Sequence, residues 1–297
     1  MELSGQLEWN YKLEIFCSTG GFKTQTFYDT ASSFLDAGIN NIELSAGKID
    51  LDFHAKLKSL NSRANLMLHN YFPPAADPIV LNLASTNEAI ALKSLNFYKE
   101  IINLSAMLST PAVGIHAGFL LDPLAKELGK TISASKLFSR DQAMSLFIQR
   151  VKELSAYAAS KDVRLLVENN VLSNKNFKKH ECNILLLADG EEIVDFMREL
   201  GGDVGLLLDV GHLKVSSNTL QFDLLHTFQI LQEFTEGYHL SENLGESDDH
   251  FGFDLDAWFV PLLNPRIAFG TLEIDNLEAS GIARLSAMLS NYLQGKL

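Results

Sequence analysis

Three short apolar runs end in a carboxylate: Val163–Glu168 (VRLLVE), Val204–Asp209 (VGLLLD) and the run closing on Glu273 (GTLE). A carboxylate buried without a partner is costly, so each of these positions implies a partner. Histidines supply candidates. His69 and His116 close two further runs, His239 lies on a third, and His212 follows Asp209 by three residues. Asp248-Asp249-His250 sits between the last two runs. Singly, a histidine at such a place is more often a hydrogen-bonded structural residue than a ligand. Here five of the eight histidines fall at or just after run ends, and only His54, His180 and His226 fall elsewhere. That concentration, with three carboxylates, is the chemistry of a divalent-metal site, because imidazole and carboxylate together suit such ions. The expected cofactor is Zn, Mn, Mg or Co, as one to three ions.

The elements that must position these groups repeat a simple rhythm. Short apolar runs span Leu13–Cys17, Asn41–Leu44, Asn65–His69, Ala112–His116, Val163–Glu168, Val204–Asp209, Gly237–Leu240 and Ala268–Ile274. Helical spacing of apolar residues predicts helices over Phe27–Ala37, Leu51–Leu60, Glu88–Leu108, Arg140–Ser160, Glu191–Leu200, Phe222–Phe234, Leu255–Leu263 and Ala279–Leu293. Eight apolar strands alternating with helices predict a parallel sheet covered by helices. In one undivided chain of 297 residues this fits a single-domain α/β fold, the (β/α)₈ TIM barrel, over 1–297. A doubly wound sheet would place a Gly-rich phosphate loop after the first strand. Ser18-Thr19-Gly20-Gly21-Phe22 does not match that pattern. In a barrel the carboxyl ends of the strands converge on one face, which is where the singled-out residues fall.

Composition narrows the partners. The net charge is −13, hydrophobic residues make up 46% and charged residues 21%, so a large core can be buried and disorder is excluded. The acidic balance and the lack of a Lys/Arg stripe disfavour a nucleic-acid partner. Two cysteines, Cys17 and Cys182, exclude a disulfide scaffold and a four-cysteine zinc module. The N-terminus, MELSGQLEWNYKLEIF, lacks a basic start and apolar run, and no apolar stretch approaches the ~18 residues of a membrane span. The expectation is a soluble cytoplasmic protein without a membrane partner, compatible with a homo-oligomer.

The strings His116-Ala117-Gly118, Val167-Glu168-Asn169-Asn170, Leu208-Asp209-Val210-Gly211-His212-Leu213, His239-Leu240-Ser241-Glu242-Asn243, Asp248-Asp249-His250 and Leu272-Glu273-Ile274 resemble the xylose-isomerase-like barrel superfamily. That group holds sugar-phosphate isomerases and epimerases together with the type-two apurinic endonucleases (endonuclease IV). The resemblance runs strand by strand over nearly the whole chain. It implies that Glu168, Asp209, His239 and Glu273 hold the metal shared by the epimerases. In the endonuclease branch it implies a second metal on His69, His116 and Glu168, and a third on His212, Asp248 and His250.

The resemblance thus leaves two chemistries and a bland alternative, a barrel that holds metal without catalysis. An isomerase or epimerase of a small carbohydrate would use Glu168 and Glu273 as paired proton-transfer groups. An endonuclease would use metals to activate water for an in-line displacement. The chain departs from the endonuclease pattern at Phe119, at Asn169-Asn170-Val171, at Gly211 and at Phe251-Gly252-Phe253-Asp254. Lys175, Lys178 and Lys179, with Lys214, read as a solvated loop or as an anion subsite. Phe119 and Phe251, with Phe72, Phe177, Phe253 and Trp258, read as sugar-stacking walls or as loop packing. Tyr71-Phe72-Pro73-Pro74 predicts a stiff loop over the site mouth. Glu43 either points into the site or pairs with a lysine; Cys17 reads as a buried small hydrophobe rather than a nucleophile.

Overall fold

A computed structural model describes residues 13–49, 51–75, 80–127, 129–133 and 136–296. The N-terminal stretch read above for a leader lies largely outside them. The strands are β1 (Glu14–Ser18), β2 (Asn41–Leu44), β3 (Asn65–Leu68), β4 (Ala112–His116), β5 (Arg164–Glu168), β6 (Gly205–Asp209), β7 (Thr235–Leu240) and β8 (Phe269–Leu272). The helices are α1 (Phe27–Asp36), α2 (Phe53–Asn61), α3 (Glu88–Leu108), α4 (Arg140–Ala159), α5 (Asn174–His180), α6 (Gly190–Leu200), α7 (Val210–Leu220), α8 (Leu224–Leu231) and α9 (Ala279–Gln294). The strands form one parallel sheet in the order β3-β2-β1-β8-β7-β6-β5-β4, so β1 pairs with β8 and the sheet curls into a nearly closed (β/α)₈ barrel. β3 and β4 flank the seam.

Side chains alternate across each strand, which explains why apolar runs can end in polar groups. One set, including Ile15, Cys17, Ile42, Leu44, Leu66, Leu165, Leu206, Leu208 and Leu240, packs outward into the core under the helices. The other set points into the barrel, where Phe16, Met67, Ala112, Leu166, Leu207 and Phe269 form an apolar plug. Burying each of the Phe, Leu and Met side chains stabilises by about 1.5–3 kcal/mol. Glycines on the inward rows make room for the plug: a Cβ at Gly114 would lie 2.6 Å from a Leu207 methyl. Above the plug stand the chemistry-bearing groups, two residues further along the rows of β3, β5 and β6 and four further along those of β4 and β8.

The helices differ from expectation chiefly in four places. Leu255–Leu263 is not an α-helix but a set of turns ending in a 3₁₀ turn over Val260–Leu262. Pro261 opens that turn, and ring contacts of Phe259 with Phe253 and Trp258 hold the segment irregular. The expected helix Phe222–Phe234 shortens to α8, capped by the Asp223 side chain on the His226 N–H. α5 and α7 were not expected at all.

Candidate metal centre

The strand register brings the predicted residues to one level. His116 and Glu168 are Cα partners on β4 and β5, and Asp209 and His239 on β6 and β7. Glu168, Asp209, His239 and Glu273 each offer an atom, all within 4.8 Å of one another, close enough to ligate one ion. Nδ1 of His239 lies 3.0 Å from Oε1 of Glu168, 3.4 Å from Oε2 of Glu273 and 4.0 Å from Oδ2 of Asp209. A second group, His69, Glu168 and His239, shares two of these residues.

The donor set fits a divalent ion on its own chemistry. Oδ1 of Asp209 accepts the backbone N–H of His212 at 2.7 Å, whereas Oδ2 is buried without a hydrogen-bond partner. An orphaned carboxylate oxygen aimed at a histidine nitrogen and two other carboxylates is what an absent cation would leave.

The remaining predicted ligands flank this centre. Nε2 of His116 is 3.0 Å from Oε2 of Glu168. Nε2 of His212 and Nε2 of His250 approach Oδ2 of Asp248 at 3.2 and 2.8 Å. His212 stands in the first turn of α7 rather than in a loop, because that helix begins directly on Asp209. Its Nδ1 contacts the Asn169 carbonyl at 2.8 Å.

Burial and mutual charge polarise the cluster. Burial alone would raise the Glu168 carboxyl, but His116 and His239 outweigh it and hold the group well below the usual range. Glu273 goes the other way, pushed up to about 8 by burial, against the pull of His239 and His250. Burial also raises Asp209, assisted by the neighbouring charges of Asp248 and Glu168. For His239, burial is overcome by Glu273, Glu168 and Glu43, and its affinity for a proton rises well above normal. Asp209 and Asp248 do the same for His212, and Asp248 lifts His250 to about 9. Burial drives His69 down to about 4, so its 3.7 Å approach to Glu273 is a dipolar contact at neutral pH.

A cavity of about 230 Å³ opens above the centre. Its wall contains His69, His116, Glu168, His212, Asp248, His250 and Glu273, joined by Ser18, Lys23, Ser45, Tyr71 and Asp275. Ser18, which ends β1, and the loop residues Lys23 and Ser45 gave no signal in the sequence, since serine and lysine are common at such positions. Glu43 proves to be buried in the barrel and not paired with a lysine: Thr271 Oγ1 donates to its Oε2 at 2.6 Å. Cys17 is wholly buried, its thiol pushed up to about 12 by burial.

The expected substrate contacts lie elsewhere. Phe119 packs with Leu121, Ile132, Leu172, Ile184 and Leu185 in a satellite cluster under the loops. Phe251 is held by a backbone bridge to Glu242. Lys175 and Lys178 are exposed on α5, and Lys214 is engaged by the Glu242 carboxylate and, at 2.6 Å, the Asn243 carbonyl. None of these five lines the cavity. α5 and the segments around it form a local core that takes up Phe119 and Phe177. Phe72 and Phe253 likewise pack against Phe27 and Phe259.

A family model described as a xylose isomerase-like TIM barrel matches residues 30–264. A D-tagatose 3-epimerase-like protein superposes with a TM-score of 0.69 at 15% identity, covering 95% of this chain and 97% of that one. The D-allulose 3-epimerase from Methylomonas sp. gives 0.63 at 16%, covering 98% and 100%. A protein from Thermus thermophilus, in a structure soaked with ZnCl2, gives 0.64 at 18%, covering 96% and 99%. At these identities the likeness is one of fold. None of the curated proteins is a significant match to the sequence. Among the described residues, no helix is long and apolar enough to cross a membrane.

Proposed function

Because the chain belongs to the xylose isomerase-like TIM barrel family, we propose that it is a divalent-metal-dependent isomerase or epimerase of a small sugar, sugar phosphate or related keto compound. One observation carries this reading. Of the four residues grouped around the candidate metal position, Glu168 and Glu273 also line the cavity, whereas Asp209 and His239 lie behind them. Two carboxylates therefore reach both the ion and a bound substrate, as a proton-transfer pair requires.

Glu168, Asp209, His239 and Glu273 would hold the ion. Once bound, a divalent cation polarises a carbonyl and its neighbouring hydroxyl and so acidifies the intervening C–H. One glutamate would take the α-carbon proton, leaving its electron pair in the enediolate; the other would return a proton to the opposite face of that carbon, or to the former carbonyl carbon while the hydroxyl proton passes to the former carbonyl oxygen. Without an ion the two carboxyls are unequal, Glu168 held low and Glu273 raised to about 8 by burial, and a bound cation would favour the ionised form of both. The cavity's hydroxyl and imidazole groups, Ser18, Ser45, Tyr71 and His116, suit a polyol, and a volume of about 230 Å³ suits a single small ring or chain. The solved epimerases named above, similar in fold, support the same chemistry. A cytoplasmic setting belongs to this reading, supported by the free cysteines Cys17 and Cys182.

A second reading, an endonuclease IV-like metal-dependent phosphodiesterase, draws on the His212–Asp248–His250 cluster, which could add ligands for further ions. Incubation of the Mn²⁺- or Co²⁺-loaded protein with ketoses in D₂O separates the two. Deuterium entering next to the carbonyl is expected. Nicking of abasic DNA by a zinc-loaded protein, without any such exchange, would reverse the choice.

A further inference from the structure

We infer that Glu43 is a positioning residue that holds the metal ligand His239 from beneath; the inference rests on the metal site proposed above. Glu43 sits on β2 and His239 on β7, with β1 and β8 between them in the sheet, so the contact is made across the barrel interior. Both residues are 2% exposed. A neutral imidazole has one N–H and one lone pair. Nδ1 of His239 faces Glu168, Asp209 and Glu273, so a ligating His239 carries its proton on Nε2. Nε2 lies 3.5 Å from Oε1 of Glu43, an oxygen that is buried and otherwise without a hydrogen-bond partner.

The other carboxylate oxygen is fixed. Thr271, the register neighbour of His239 on β8, donates its hydroxyl to Oε2 of Glu43 at 2.6 Å. The carboxylate is thereby clamped with its free oxygen towards the ring. Beside the pair lies a cavity of about 10 Å³ lined by Glu43, Met67, His69, Asn70 and His239. That space admits no more than one water, so bulk solvent cannot take the place of the ring N–H. A carboxylate behind a ligating histidine fixes its tautomer and ring orientation and raises its basicity; removing such a partner costs roughly 10–100-fold in metal affinity.

Glu43 could instead ligate an ion itself, since it also groups with His69 and Glu273 within 4.8 Å. Calorimetric titration of the metal-free full-length protein with Mn²⁺ and Zn²⁺ decides the matter. For Glu43→Gln the expected result is unchanged stoichiometry, dissociation constants raised at least ~10-fold, and a shifted visible spectrum of the Co²⁺-loaded protein. A smaller, several-fold weakening is expected for Thr271→Val, which keeps the shape, removes the clamp and serves if Glu43→Gln fails to fold. Loss of one bound ion in Glu43→Gln would make Glu43 a ligand and overturn the inference. Unchanged affinity in the variants with normal wild-type binding ends the role of Glu43 alone. Wild-type protein that binds no divalent ion ends the metal reading with it.

Discussion

Asp209 and His212 are joined through the backbone: Oδ1 of the aspartate accepts the His212 N–H at 2.7 Å and so caps α7, while Oδ2 is left for the metal position. One side chain therefore starts a helix and, in the proposed site, would supply a ligand, and the two roles can be separated. Asparagine caps about as well as aspartate but lacks the charge. Asp209→Asn is expected to leave the metal-free melting temperature close to wild type while weakening metal binding at least ~10-fold. Asp209→Ala should in addition cost roughly 1 kcal/mol of metal-free stability. Equal melting temperatures for the two variants would remove the capping role.

Of the four proposed ligands, Glu168 and Glu273 also line the cavity. Glu168→Gln and Glu273→Gln should each fold and each lower kcat by about 10²–10⁴-fold, the usual contribution of a positioned proton-transfer group. Solvent-deuterium incorporation into the ketose, followed by NMR, reads this directly. Full exchange in either variant excludes that residue from proton transfer.

The histidine–carboxylate cluster makes stability depend on pH. His250, raised to about 9, and Glu273, raised to about 8, both bind protons more tightly folded than unfolded. Stability from a raised pKa is complete below the unfolded value and lost as pH rises through the folded one. For His250 that window runs from ~6.5 to about 9, and for Glu273 from ~4.5 to about 8. His69, lowered to about 4, acts only below ~6.5 and does not oppose this trend. The metal-free protein is thus expected to lose stability between pH 6.5 and 9, while added metal, which competes with protons for the same atoms, stabilises it more as pH rises. Melting curves at several pH values with EDTA or Mn²⁺ test this; a metal-free melting temperature that climbs over this range contradicts it.

The level of the site was legible because the carboxyl ends of barrel strands converge on one face and a carboxylate ending a buried apolar run needs a partner there. Glu168, Asp209 and Glu273 announced themselves this way. Glu43 did not, since a lone glutamate in the short run NIEL serves equally as a surface partner. α7 was missed because it is buried on most sides: Val210, Gly211, His212, Leu213, Val215, Ser216 and Ser217 all lie inside, leaving no one-sided apolar stripe. The lysines and phenylalanines could not be placed from sequence, because position after a strand does not say whether a loop turns towards the cavity or builds its own core.

The displaced basic residues give a further expectation. Lys214 bonds the Glu242 carboxylate and the Asn243 carbonyl and is a quarter exposed, so Lys214→Ala should cost about 1 kcal/mol in stability. Lys175→Ala and Lys178→Ala, on the exposed face of α5, should alter stability by no more than ~0.5 kcal/mol and leave kcat/KM for the substrate unchanged. A rise in KM for a phosphorylated substrate in either α5 variant would restore the anion subsite expected from sequence.

The apolar plug should transmit packing changes to the metal ligands above it. Gly237 lies two residues before His239 on the inward row of β7, and a Cβ there would lie 2.5 Å from the Phe269 ring. The ring is itself held edge-on by Phe16 at 6.2 Å, so it has little room to retreat. Gly237→Ala is therefore expected to cost about 1–3 kcal/mol by overpacking and to weaken metal binding by shifting His239. Gly281→Ala on α9 is the control: the nearest side-chain atoms to its Cβ would be those of Leu277 at 3.4 Å and beyond, and alanine there should gain up to ~1 kcal/mol with metal affinity intact. Paired melting and titration curves check both. If Gly237→Ala lost stability without any loss of metal affinity, the plug would support the barrel but not aim its ligands.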